Sequence, residues 1–540
     1  MGLQVVSDDW HTQLTVSASC GSIKGSVKDG IAHFWGIPYA EPPLGDRRFR
    51  KPQPLLQWQG TLGCAPEIEP AHRTPLTLGS EDCLYLSVDA PAAAVTSRSA
   101  LPVVVMVGNC RDSASLDDFR GLLHRQLVSV RLQCRVGALG MLVLPGADAN
   151  CSLWDQRAAL EWTQRHISNF GGNPGNVTVV GQGLGADSVL CLVASEVSNT
   201  LFSRAILQSP SSFAITRAQA EEVAREFADV AGVLANLEAF QKTPVEFFLD
   251  LETCGQFRLC PTAAPGRQHT VQFELQGMDM TPEGTLVLPN VTSAMSPFAP
   301  VIDGEFLLGQ PLNELRRGVG GHIAVAIGYS SSDVQLMLGS SCSPQTTSLA
   351  GVANRLCMQL AGAPRFTGDE EDARIPRVTA VCEDCVEAYL EDPRVHAASK
   401  VPQDISLPDR VQKALDVDLI CGAMCQLVAS RCAQHGTIFC FEVHHIPENL
   451  EVLLLGSARD HVADDWASTL ARFIRNAEPG GDGREWSPYV FSGQNVFSVD
   501  ATSGAEEIEW KTRRGLQHLS SVYEDLWLLL PTRGAPSAKL

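Results

Sequence analysis

The sequence contains no run of about 18 or more uncharged apolar residues, so nothing in it is suited to cross a bilayer as a helix. It also lacks a basic excess. Its 41 Lys and Arg stand against 61 Asp and Glu, a net charge of −20, and such a surface repels nucleic acid and acidic membranes. Internal repeats are absent. Aromatic residues make up 6%, with only six tyrosines.

At 540 residues and 44% hydrophobic, the chain can bury a large core, as one large domain or two medium ones. Its 17 cysteines are many for a reducing compartment. Three sequons, Asn150-Cys151-Ser152, Asn176-Val177-Thr178 and Asn290-Val291-Thr292, would accept glycans in the secretory pathway. Oxidising, secretory conditions are therefore expected. Met1-Gly2-Leu3-Gln4 opens no basic and apolar signal segment, which points to an excised piece of a longer secreted protein or an alternative start. The odd cysteine count leaves at least one thiol unpaired or paired outside the chain.

Short apolar runs predict buried strands at 103–107, 128–132, 177–180, 204–207, 323–327 and 437–443, and helical patterns fall at 155–166, 186–194, 217–233 and 416–434. Alternation of strand and helix on this scale predicts a parallel, doubly wound sheet. Residues 251–300, 361–380 and 478–484 have loop composition, and the end at 531–540 is expected to fray.

Residues 177–188 read VTVVGQGLGADS, a β-branched strand running into glycines and then into a helical stretch. The spacing is that of the nucleophile elbow G-x-S-x-G, a sharp strand-to-helix turn that exposes one side chain. Here that position is Gly183, which supplies neither the hydroxyl nor the thiol that acyl transfer needs. Glycine also relieves the positive φ of such a turn, worth about 1–3 kcal/mol for a residue bearing Cβ.

Several ordered stretches together resemble one family, the type-B carboxylesterases and cholinesterases with their non-catalytic relatives. They are GIAHFWGIPYAEPPLGDRRFR at 30–50, SEDCLYLSV at 80–88, CRVGALGML at 134–142, LWDQRAALEWTQRHISNFGGNPGNVTVVG at 153–181, LFSRAILQSPS at 201–211 and APVIDGEFL at 299–307. The resemblance implies a single α/β-hydrolase domain of class α/β over 1–540, its core at about 15–525, with a large, central, mostly parallel sheet and helices on both faces. Asp333 takes the place of the family's catalytic acid and His461 that of its base, although some twenty residues usual after Trp466 are missing. Where the family carries the oxyanion sequence H-G-G-G, this chain reads Gly108-Asn109-Cys110-Arg111. Losing one oxyanion donor costs roughly 10²–10³ in rate and losing a nucleophilic serine about 10⁶. The resemblance therefore implies a pseudoenzyme, with His461 and Asp333 a buried, satisfied pair. Ser188, one helical turn past the elbow and expected to face helix packing, and Cys110 are the substitutes that an active esterase with a displaced nucleophile would use.

Within the family, non-catalytic domains of the thyroglobulin type share the serine-less elbow continuing G-A-D, as at 185–187, and an Asp in the acid position. HIPEN at 445–449 resembles them too. Tyr523 is the one late tyrosine that could serve as a hormone-forming residue. The family's first disulfide corresponds to Cys64 and Cys83, and a later one to Cys254 and Cys260. Cys382 and Cys385 have CxxC spacing, for which local or intermolecular disulfides are expected over zinc. Cys421, Cys425 and Cys432 are expected in the core. No cofactor or metal is implied. The expected partners are a second copy, through a late helix bearing Trp466 and Phe473 and a carboxy-terminal one bearing Val522, Leu526, Trp527 and Leu528, an extracellular protein in the manner of the neuroligin-like adhesion members, or upstream parts of the same precursor.

Overall fold

The computed structural model describes residues 12–55, 57–64, 80–108, 125–210, 214–248, 298–330, 383–390, 422–444, 461–479, 486–490, 494–500 and 504–509, together with 348–349, 352, 406–408, 410–411, 415 and 516. The strands are β1 (Thr12–Ala18), β2 (Gly21–Lys28), β3 (Ile31–Pro38), β4 (Thr61–Gly63), β5 (Tyr85–Pro91), β6 (Leu101–Val107), β7 (Val128–Leu132), β8 (Gly172–Gln182), β9 (Arg204–Gln208), β10 (Ile215–Thr216), β11 (Val301–Ile302), β12 (Ala324–Ser330), β13 (Ile438–His444), β14 (Asn495–Asp500) and β15 (Gly504–Glu509). The α-helices are α1 (Ala92–Ser97), α2 (Gly137–Met141), α3 (Cys151–His166), α4 (Leu184–Val193), α5 (Arg217–Ala231), α6 (Leu237–Lys242), α7 (Pro311–Arg316), α8 (Ala423–Cys432) and α9 (His461–Asn476). The loops expected over most of 251–300, at 361–380 and at 480–484 fall outside the described residues, as do Cys254, Cys260, Asn290, Cys382, Cys421 and the chain beyond 516.

Among the described residues thirteen strands form one sheet in the order β1-β2-β3-β5-β7-β6-β8-β9-β12-β13-β14-β15, with β4 paired to β2. From β7 to β14 every pairing is parallel, and antiparallel strands flank that centre on both sides. Strands buried on both faces read as continuous apolar runs rather than as alternation. LPVVVMV of β6 does so: Val103, Val105 and Val107 join the core of one face, and Val104 and Met106 that of the other. All six sequence-predicted strands are present within a few residues of their expected bounds.

Local chemistry sets the helix ends. Thr216 caps α5 in a reciprocal box, its Oγ1 accepting from the Gln219 N–H at 3.3 Å while Gln219 Oε1 accepts from the Thr216 N–H at 2.9 Å. Such caps are worth about 1 kcal/mol. Gly232, at φ 63°, ends the helix in the left-handed conformation glycine favours. The amphipathic α9 spends its apolar side within the chain. Trp466 is 1% and Phe473 0% exposed; Trp466 stacks on Phe497 with ring centroids 6.1 Å apart, and Phe473 meets Phe439 edge-on at 5.8 Å. These two side chains are therefore core, packed within this chain as most such helix faces are.

Two of the quoted stretches have a structural role. Arg48, in RRFR, donates to both oxygens of Glu81, in SEDCLYL, at 2.5 and 2.7 Å, and to the carbonyls of Phe240 and Thr243 at the end of α6 at 2.8 and 2.6 Å. Asp89, in β5, lies opposite His33 of β3. It accepts from His33 Nδ1 at 2.6 Å, Trp35 Nε1 at 2.7 Å and Arg131 Nη2 at 3.0 Å. Burial raises its pKa, but Arg131, His33 and Trp35 outweigh that and hold it below the usual carboxylate range. A carboxyl held low stabilises the fold above its unfolded pKa of about 3.9, and that stability is lost as pH falls through the folded value. Asp89→Asn is therefore expected to be destabilising at pH 7, with the gap to the parent narrowing below about pH 4, in urea titrations followed by tryptophan fluorescence.

Candidate functional site: the elbow and the cavity beside it

β8 ends at Gln182, and the chain reverses at Gly183, at φ 53° and ψ −120°, straight into α4. The Gly183 N–H donates to the Gln208 carbonyl at the end of β9 at 2.9 Å, and its carbonyl accepts from the Asp187 N–H at 3.0 Å. The turn is thus tied at both ends. The flanking glycines are fixed by close approach. A Cβ at 181 would lie 2.3 Å from the Gly185 carbonyl oxygen, and one at 185 would lie 2.3 Å from that of Val107. The strained elbow geometry anticipated from the spacing is present, and Gly183 presents no attacking atom at its apex.

The other degenerate positions are reached only in part. Asn109, Cys110, Arg111 and Asp333 lie outside the described residues. β6 runs up to Gly108, and β12 ends at Ser330, three residues before Asp333. His461 is the first residue of α9, with its side chain outside what is described.

A cavity of about 100 Å³ opens beside the elbow. α4 contributes Leu184, Gly185, Asp187 and Ser188; α3 contributes Ser152 and Gln156; Cys134, Val136 and Met141 come from around α2, and Phe298 from the chain leading into β11. Ser188 therefore faces open space and not helix packing, correcting the expectation for it. Among the described residues lining the cavity none is histidine or lysine, and Asp187 is the one carboxylate. Gln156 and Cys134 were not singled out in the sequence, although both lie in stretches that carry the family resemblance, and Ser152 was named there only as part of a sequon.

Behind this wall sits a buried ion pair. Arg135, 1% exposed, donates from Nε and Nη2 to the two Asp155 oxygens at 2.8 and 2.6 Å, and its backbone N–H donates to Asp155 Oδ2 at 3.1 Å. Burial lowers the Arg135 pKa, but the Asp155 carboxylate raises it by more, so the guanidinium stays charged.

Among the sequon and cysteine positions that lie within the described residues are Asn150, Asn176, Cys64 and Cys385. Asn150 is 0% exposed. Its Nδ2 donates to the Val301 carbonyl at 2.8 Å and to Asp303 at 2.9 Å, and its Oδ1 accepts from the Val301 N–H at 2.8 Å. An amide so enclosed holds β11 in place and has no room for a glycan. Asn176 is half-buried, donating to the Arg475 carbonyl at 3.0 Å and accepting from Arg204. Cys64 is a buried free thiol, pushed up to about 12 by burial, so the bridge to Cys83 implied by the resemblance is not made. Cys385 is likewise a buried free thiol, raised to about 12 first by burial and then by Asp384. Among the described residues no cluster of His, Cys, Asp and Glu could hold a metal ion, and no helix is long and apolar enough to cross a membrane.

Comparison with known proteins matches residues 12–451 to the carboxylesterase family. An acetylcholinesterase of Bungarus fasciatus is 35% identical over 333 residues, 57% of this chain and 51% of that protein. A cholinesterase of Mus musculus is 32% identical over 350 residues, 60% of this chain and 54% of that protein. The chain thus spans about half the length of the curated relatives it matches. Among solved structures, a carboxylesterase of Geobacillus stearothermophilus superposes with a TM-score of 0.70 at 21% identity, covering 93% of this chain and 99% of that one. That likeness shows a shared α/β-hydrolase fold.

Proposed function

Because the chain belongs to the carboxylesterase family, we propose that it is a catalytically silent member, a cholinesterase-like domain whose surface does its work in place of the family's pocket. The single observation that carries this reading is Gly183 at the apex of an intact elbow, φ 53° and ψ −120°: the turn that would present a nucleophile is kept and the nucleophile is not there. The replacement of the oxyanion glycines by Asn109-Cys110-Arg111 supports it from the sequence. The work of such a domain is pairing with a second copy, aiding the folding and export of a larger secreted protein, or binding an extracellular protein. The G-A-D continuation at 185–187 and the HIPEN segment at 445–449 support a likeness to the thyroglobulin-type domains. Reaction of the folded chain with a fluorophosphonate, read by intact mass, is expected to add nothing. A stoichiometric adduct that disappears in Ser188→Ala would overturn the reading in favour of an esterase with a displaced nucleophile.

A further inference from the structure

At the end of the sheet remote from the elbow, where the parallel strands begin, two half-buried arginines meet only neutral oxygens. Arg204 opens β9. Its Nη1 donates to Asn176 Oδ1 and to Ser203 Oγ, its Nη2 donates to the Arg475 carbonyl at 3.3 Å, and its Nε is buried with no hydrogen-bond partner. Burial pushes the Arg204 pKa down, and no carboxylate holds it up. Arg475 lies in the last turn of α9, where its Nη2 donates to the Arg125 carbonyl. Among the described residues nothing accepts from Arg475 Nε or Nη1, and neither nitrogen is buried, so most of its N–H donors are left to solvent. Other half-buried or buried guanidiniums are matched: Arg48 meets Glu81, Arg131 meets Asp89, Arg135 meets Asp155 and Arg157 meets Glu161. The two unmatched ones are neighbours. Asn176 Nδ2, at 3.0 Å, and Arg204 Nη2 share the single carbonyl of Arg475. Arg125, whose carbonyl Arg475 holds, donates in turn from Nε and Nη2 to Ser468 Oγ at 3.3 Å, about two turns before Arg475 and so on the same flank of α9. The carboxy-terminal dipole of α9, worth about half a negative charge, offsets only part of the two guanidiniums.

We propose that this end of α9 binds a tetrahedral oxyanion, sulfate or phosphate, which accepts from the open N–H groups of Arg475 with the Arg204 charge beside it. The sign follows from two guanidiniums whose printed partners are carbonyls, an amide and a hydroxyl, in a chain whose net charge is otherwise −20. The preference for a compact, doubly charged acceptor follows from the planar guanidinium, whose several N–H donors match phosphate and sulfate oxygens and whose charge-assisted bonds are about twice as strong as neutral ones. A monocarboxylate brings half the charge, and a cation has the wrong sign. The proposal goes beyond the catalytic reading and does not depend on it.

Calorimetric titration of the full chain at pH 7 in about 20 mM buffer, where screening is weak, tests it with inorganic sulfate, inorganic phosphate, methyl phosphate and acetate. Saturable one-to-one binding of sulfate and of phosphate is expected, with Kd of about 0.3–10 mM for so few atoms. Acetate is expected to bind at least about tenfold more weakly. Methyl phosphate tells the source: affinity equal to that of phosphate means that the group can arrive on an ester, and exclusion confines the site to the free ion. Arg475→Gln should weaken sulfate at least about tenfold and Arg204→Gln at least about threefold. Arg217→Gln, at an exposed arginine that opens α5, should leave the affinity unchanged. If Arg475→Gln does not fold, Arg475→Lys decides the matter, because it keeps the charge and gives up the planar donor set, and at least about threefold weaker binding is expected. Absence of saturable heat with sulfate, equal binding of acetate, unchanged affinity in the Arg475 variants, or an equal loss in Arg217→Gln would overturn the proposal. A negative result here leaves fluorophosphonate reactivity unaffected, so the two readings fail separately.

Discussion

Gly183→Ser is expected to leave hydrolysis of an activated aryl ester at least about 10²–10³-fold below that of an intact esterase site, although it restores a hydroxyl at the apex of the elbow. A nucleophile contributes little unless the charge that develops on the carbonyl oxygen is met by preorganised donors. Position 184 still offers its backbone N–H at the start of α4, but the glycines that would supply the rest are Asn109-Cys110-Arg111 in this chain. The unsubstituted protein should lie lower still, by about 10⁶ relative to an intact site. The same substitution should cost stability. Serine at φ 53° and ψ −120° takes on backbone strain of about 1–3 kcal/mol that glycine does not feel. Initial rates beside urea midpoints separate the two effects. Full activity in Gly183→Ser would show that the hole is still formed.

Much of this was legible in the residues because it rests on local constraints. The central strands are apolar runs of four to seven residues, and the parallel centre of the sheet leaves such runs no alternative but burial on both faces. The elbow was legible because glycine at 181 and 185 answers a close approach of backbone and at 183 a positive φ. What was not legible depends on distant partners. The Asn150 sequon looks like an acceptor from three residues of sequence, yet its amide is taken by Val301 and Asp303, about 150 residues away. Cys64 and Cys83 flank a family motif, but the bond between them is a matter of three-dimensional approach, and Cys64 is free. Trp466 and Phe473 form an apolar helix face whichever surface covers it, and only the packing of Phe497 and Phe439 against them shows that this chain does so itself. Gln156 gives no sign in the sequence, since an unpartnered amide oxygen becomes visible only when the walls around it are known.

The largest loss of stability is expected from breaking the pair behind that wall. Asp155→Ala leaves the Arg135 guanidinium, 1% exposed, without its carboxylate and frees a backbone N–H that had donated to it at 3.1 Å. Arginine cannot escape by losing its proton. Removing one partner of a buried pair costs about 3–5 kcal/mol, most of it the penalty for stranding the other charge. Arg135→Met is expected to cost less: an uncompensated Asp155 can still take up a proton and keep accepting the backbone N–H of residue 135. Arg135→Met with Asp155→Leu should recover part of the loss, because two apolar side chains strand no charge, though the backbone N–H remains unmet. The order expected in urea midpoints is parent, then the double substitution or Arg135→Met, then Asp155→Ala. If Asp155→Ala proves as stable as the double substitution, the penalty does not lie in a stranded charge, and water reaching Arg135 from the adjoining cavity would have to be carrying it.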